Sequence, residues 1–131
     1  MRSLAVLALL VLPIGSAPAE AHGGHPPAVR EARDWARDQL HRGNWRCLDR
    51  LWDRESQWRP RAFNPATGAT GIAQAVPGRN MAKVGRSRLD PITSDWRTDP
   101  LTQVRWGLRY IRGRYGTPCH ALHFQHRRGW Y

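Results

Sequence analysis

The stretch that most constrains this 131-residue chain runs from position 45 to 74, WRCLDRLWDRESQWRPRAFNPATGATGIAQ. Trp45, Leu48, Trp52 and Glu55 follow at steps of three, four and three, the spacing of one face of a helix. Glu55 therefore ends an apolar stripe instead of projecting into water. Asn44 is a good N-cap, and Pro60 clashes with the residue before it, so this helix is expected over about residues 45–57. Beyond it, Asn64-Pro65 and Thr67-Gly68 predict a tight loop or a short two-stranded hairpin. Gly71, Ile72, Ala73 and Gln74 then form a small-residue segment that lets a ligand approach the backbone closely.

The rest of the chain reads as mainly α. Pro27 opens a first helix ending at Gly43, with Val29, Ala32, Ala36 and Leu40 on its inner face. Pro77 opens a short helix through Val84, and the polar segment 85–98 reads as a loop. Asp99-Pro100 caps and starts the clearest amphipathic helix, in which Leu101, Val104, Leu108, Ile111 and Tyr115 keep helical spacing up to Gly116. A last short helix is expected over residues 118–127.

The N-terminus has the form of a secretory signal. Met1-Arg2 is positive, residues 4–12 are apolar, and small residues allow cleavage near Ala19 or Ala21. The apolar run is shorter than the roughly 20 residues a membrane anchor needs, so export without a stable anchor follows. Residues 1–21 are thus read as signal peptide, 22–43 as a flexible leader plus the first helix, and 44–131 as the working domain. In an oxidising compartment Cys47 and Cys119, the only two cysteines, are expected to pair.

A net charge of +11 draws the protein to polyanionic surfaces without naming one. No RNA-reading aromatic motif, zinc finger or helix-turn-helix pattern is present, which argues against nucleic acid and leaves anionic wall polymers as the better fit for an exported chain. The 7 Trp and 3 Tyr are enough for some aromatics to line a surface, as carbohydrate binding requires. His120, His123 and His126 drift around a helix beside Arg127 and Arg128 and read as a solvated basic face. No metal or other cofactor is expected, and His22 and His25 read as part of a tail.

Glu55 has the chemistry of a general acid. Burial on the stripe and the negative end of its own helix both disfavour its charged form, and a glycosidic oxygen needs a proton to leave. The residues around it carry a family resemblance. Trp52 through Pro60, with Glu55-Ser56 at the helix end, then Gly68-Ala69-Thr70-Gly71-Ile72-Ala73-Gln74 and Pro77, resemble the signature of the soluble lytic transglycosylase superfamily. Asp99-Pro100, Gln103, Gly107-Leu108, Tyr110-Ile111 and Arg114-Tyr115-Gly116 resemble its following helix. The chain is similar in particular to small exported single-domain versions from actinobacteria and their phages, which often carry the Cys pair and end in Gly-Trp-Tyr.

The resemblance implies a lysozyme-like fold acting on the glycan strands of peptidoglycan, and a monomer is expected. A glutamate at the position of Glu55 would cleave the β-1,4 bond between MurNAc and GlcNAc and leave a 1,6-anhydro sugar. Ser56 would assist it, and Gly71, Ile72, Ala73 and Gln74 would line the groove. Tyr110, Gln125, Trp130 and Tyr131 are the further candidates for substrate contact. The Ala-Tyr-Asn motif of the family is replaced by Ala121-Leu122-His123-Phe124-Gln125. After Glu55 the only remaining acids are Asp90, Asp95 and Asp99, none on an apolar face, which favours a one-carboxylate mechanism over a two-carboxylate hydrolase. A lysozyme-type hydrolase on the same fold, or a weakly active or non-catalytic wall-binding protein, are the alternatives.

Overall fold

A computed structural model describes residues 24–83 and 96–131. The signal sequence expected over 1–21, His22, and most of the loop expected over 85–98, with Asp90 and Asp95, lie outside the described residues. The described elements are α1 (Pro27–Asp38), α2 (Arg42–Ser56), the antiparallel strands β1 (Phe63–Asn64) and β2 (Ala69–Thr70), a 3-10 helix (Gly78–Lys83), α3 (Pro100–Tyr115) and α4 (Pro118–Arg128).

The break between the first two helices falls at residues 39–41, earlier than the expected Gly43–Asn44 boundary. Gln39 and Leu40 fold back, their N–H groups donating to the Ala36 and Arg37 carbonyls at 3.2 Å, and Leu40 packs against the core. His41 is extended and caps α2 without a side-chain bond, while its carbonyl accepts from the Trp45 N–H. Gly43 and Asn44 thus occupy the first turn of α2. Backbone donors there have no intrahelical partner in any case, so a glycine is tolerated and the capping tendency of Asn44 goes unused.

α2 ends abruptly at Ser56. Gln57 and Trp58 both adopt positive φ, 53° and 55°, where glycine is the usual choice. The Gln57 N–H donates to the Asp53 carbonyl at 2.9 Å and the Trp58 N–H to the Trp52 carbonyl at 3.4 Å, which satisfies orphan carbonyls of the last turn. The backbone strain is offset by what it places inside. Trp58 is 1% exposed and stands edge-on to Trp52, with ring centroids 5.1 Å apart. The Arg33 guanidinium lies 5.0 Å from the Trp58 ring centre.

α2 packs chiefly on α4, and α1 on α3, around Leu48, Leu51, Trp52, Val104, Leu108, Ile111 and Ala121. α3 passes so close to α2 that a Cβ on Gly107 would come within 2.5 Å of the Trp52 ring and 2.8 Å of Ala73. Its ends match the sequence expectation: the Asp99 carboxylate accepts from the Thr102 N–H at 2.8 Å, and Gly116 turns the chain with φ 76°. Cys47 and Cys119 join α2 to α4 in a disulfide with a Cα separation of 4.9 Å across 72 positions of sequence. Closing a loop of that length stabilises the fold by about 4 kcal/mol in the chain-entropy model. Val29, Ala32 and Ala36 of α1 are all buried in the same core as the later helices.

Candidate active site

Glu55 sits one residue before the end of α2, half-buried, on the stripe that continues from the fully buried Leu48 and Trp52. Burial holds its pKa above the ordinary value of 4.5, and the Gln125 side chain and the Arg54 charge offset part of that rise. Gln125 does not satisfy the whole carboxylate. Among the described residues, Glu55 Oε1 and Gln125 Oε1 are both buried without a hydrogen-bond partner, and so are Trp58 Nε1 and Arg33 Nε. Arg54 is itself tied to α4, its Nη1 lying 2.6 Å from His126 Nε2.

Behind Glu55 stands a wall whose polar groups are bonded to one another. The Ser56 hydroxyl donates to the Ile72 carbonyl at 2.8 Å and also approaches the Trp52 carbonyl at 3.2 Å. Ser56 is 2% exposed, so the structure places it inside this wall and not on the groove where a substrate contact was expected. Gly71, Ile72 and Ala73 are likewise buried, because this segment is pinned from the other side by Gln103. The Gln103 Oε1 accepts from the Ile72 N–H at 2.8 Å, and its Nε2 donates to the carbonyls of Pro60 and Trp96, both at 2.9 Å. Gly71 has φ 76°, and a Cβ there would lie 2.6 Å from Gln103 Oε1, so both its conformation and its surroundings require glycine.

The sequence marks Gln103 as part of the family resemblance but does not show its role. The physical signal is a polar residue between Leu101 and Val104 on a helix with a regular apolar face, a position where a buried amide must find partners.

Tyr131 completes the wall. Its hydroxyl accepts from Trp52 Nε1 at 2.7 Å and donates to the Ala73 carbonyl at 2.9 Å. Burial pushes its pKa well above the usual tyrosine value, and the neighbouring Glu55 carboxylate adds to the rise. Tyr131 is therefore a neutral brace close to Glu55, its proton committed to a backbone carbonyl. Phe124 packs against Tyr115 and Trp130 at centroid distances of 5.3 and 5.0 Å. Tyr110 stacks on Trp106, with centroids 5.2 Å apart and planes 9° from parallel.

In front of the wall an open groove runs past Glu55. One arm, of about 570 Å³, is lined by Glu55, Arg59, Arg61, Phe63, Asn64 and Gln74 among others. The other, of about 350 Å³, is lined by Glu55, Asn64, Gln74, Tyr110, Trp130 and Tyr131 among others. Glu55, Asn64 and Gln74 belong to both, so the carboxylate stands where the arms meet. A smaller recess of about 160 Å³ extends the second arm past Ala73, Val76 and Trp106. Of the expected contact residues, Gln74, Tyr110, Trp130 and Tyr131 face this groove and Ala73 its recess. Ser56, Gly71 and Ile72 build the wall instead, and Gln125 stands against Glu55. The hairpin residues Asn64 and Phe63 and the arginines after α2 were not anticipated as lining.

A helical scaffold bearing one glutamate at a helix end, over an open groove flanked by a short hairpin, is the lysozyme-like arrangement. The family model described as the transglycosylase SLT domain matches residues 36–123, and the chain belongs to that family. The activity of the family is lytic transglycosylation of peptidoglycan. Neither a curated protein nor a solved structure matches the chain. The family match ends before Gln125, Trp130 and Tyr131, so the placement of these three rests on geometry alone. Among the described residues no group of three or more potential metal ligands occurs, and no helix is long and apolar enough to cross a membrane. His120, His123 and His126 are exposed on α4.

Proposed function

We propose that this protein is an exported lytic transglycosylase that uses Glu55 as its only acid and base on peptidoglycan glycan strands. The observation that carries the reading is the half-buried Glu55 carboxylate at the junction of the two groove arms, with one oxygen lacking a partner among the described residues and a raised pKa. A carboxyl group held in that way keeps its proton to higher pH than an exposed one and can deliver it to a glycosidic oxygen. The bond between that oxygen and the muramoyl anomeric carbon then breaks. The resulting carboxylate takes the proton of the muramoyl 6-hydroxyl as that oxygen bonds to the anomeric carbon, which closes the 1,6-anhydro ring and regenerates the acid.

Among the described residues after Glu55 the one other side-chain carboxylate is Asp99, and it is occupied in capping α3. That supports a mechanism in which the substrate supplies its own nucleophile. Export by way of residues 1–21 is part of the proposal, and the Cys47–Cys119 disulfide supports an oxidising compartment. The net charge of +11 favours approach to an envelope rich in anionic polymers. The test is Glu55→Gln, which should retain the fold and lose clearing of cell-wall substrate. Undiminished clearing would refute the role of Glu55.

A further inference from the structure

The two arms of the groove differ in charge. Among the described residues, the arm with Tyr110, Trp130 and Tyr131 carries no arginine or lysine in its lining, and its aromatic faces suit the apolar faces of sugar rings. The other arm carries Arg59 and Arg61, and among the described residues Glu55 is the one acid in its lining. Neither arginine makes an ion pair with the described residues. Arg59 spends its Nε on the Ser56 carbonyl at 3.0 Å, a bond that fixes the guanidinium at the end of α2 and leaves its two terminal nitrogens without a partner among the described residues. Arg61 is exposed and makes no side-chain hydrogen bond to the described residues. Two forked cations lining one cleft, one of them pre-positioned through its backbone contact, are suited to a carboxylate.

Peptidoglycan offers such a group, because its muramoyl sugars carry peptide stems with free carboxylates, whereas the sugars themselves are uncharged. We propose that Arg59 and Arg61 bind a stem-peptide carboxylate of the strand being cut, so that the groove selects strands still bearing charged stems. The inference rests on the peptidoglycan-cleaving function proposed above. The arm without arginine then holds the bare saccharide on the opposite side of Glu55, and the strand lies in the groove in one polarity.

The experiment measures kcat/KM of the full chain on three preparations of the same glycan strands, all stripped of phosphodiester polymers. One keeps its peptide stems, one has the stem carboxylates converted to amides, and one has the stems removed by an amidase. The wild type should cut the carboxylate-bearing strands about tenfold faster than the amidated or stem-free ones, the size expected for one charge-assisted contact. In Arg59→Gln/Arg61→Gln that ratio should fall close to one, and in Arg61→Lys it should remain partly in place. Arg109→Gln is the control for general attraction, since Arg109 is exposed on α3 and lines neither arm. It should keep the wild-type ratio.

Equal wild-type rates on the three preparations would overturn the inference while leaving the proposed function standing. So would an Arg59/Arg61 variant that slows all three alike, or an Arg109→Gln variant that loses the ratio as well. Failure of the wild type to cut any preparation would instead remove the function on which the inference rests. Binding of a soluble disaccharide-tetrapeptide to Glu55→Gln protein gives a second readout without turnover. Affinity should drop about tenfold when the stem is amidated, and an unchanged affinity would contradict the proposal.

Discussion

The wall behind Glu55 and the face in front of it are made of similar residues used in opposite ways. In the wall the Ser56 hydroxyl, the Ile72 N–H, the Gln103 amide and the Tyr131 hydroxyl are all paired, at 2.7 to 2.9 Å. On the face, Glu55 Oε1 and Gln125 Oε1 are buried with no partner among the described residues. A paired buried group contributes order and rigidity, whereas an unpaired one is a standing cost that a substrate or a proton can relieve. Changes in the wall should therefore register in stability first, and changes on the face in activity with little or no loss of stability.

Glu55→Gln gives the sharpest contrast, because a neutral amide replaces the carboxylate in the same space. Activity should fall by roughly 10²- to 10⁴-fold, the usual contribution of a positioned acid or base. Stability should move the other way. The folded chain binds the Glu55 proton more tightly than the unfolded chain, so stability is lost as pH rises from the ordinary value of 4.5 through the raised one. Denaturant melts should find the variant equal to wild type below about pH 4.5 and at least as stable at neutral pH. A variant clearly weaker at neutral pH would mean that Glu55 belongs to the wall.

Gln103→Leu attacks the wall itself. It strands the Ile72 N–H and the carbonyls of Pro60 and Trp96, and at about 1 to 3 kcal/mol for each group left unsatisfied the expected total is about 3 kcal/mol or more in chemical denaturation. Tyr131→Phe leaves Trp52 Nε1 and the Ala73 carbonyl without their shared partner and, with two groups stranded instead of three, should cost less, about 2 kcal/mol or more. Its kcat should follow the loss of order and not vanish, since the hydroxyl proton is directed to Ala73 and not to Glu55. Trp130→Ala comes last. The side chain is 52% exposed at the groove, so stability should change by less than about 0.5 kcal/mol while KM for glycan strands rises. A large stability change there would blur the division between wall and face.

Much of this was legible in the sequence because it depends on local rules. The Glu55 stripe, the Asp99-Pro100 start and Gly116 end of α3, the hairpin after Asn64 and the Cys pair each follow from spacing, caps or compartment. What escaped depends on contacts distant in sequence. Ser56 looks like a groove residue beside Glu55, yet the helix turns its hydroxyl towards Ile72, 16 positions away. The early break before His41 arises because Leu40 gains a place against the core, which outweighs the local preference for Gly43 and Asn44. Arg59 and Arg61 read as two among many basic residues until the left-handed turn at Gln57 and Trp58 sets them beside Glu55. Tyr131 is the clearest case. The sequence offers it as a substrate contact, whereas its hold on Trp52 Nε1 and the Ala73 carbonyl depends on how α4 lies on α2.

The central claim is that Glu55 alone drives cleavage with the muramoyl 6-hydroxyl as nucleophile. Mass analysis of the soluble products from purified peptidoglycan tests it most directly. Wild-type protein should release muropeptides ending in 1,6-anhydro rings, lighter by one water than hydrolysis products, and Glu55→Gln should release none. Products carrying the added water, or anhydro products undiminished in the variant, would contradict it.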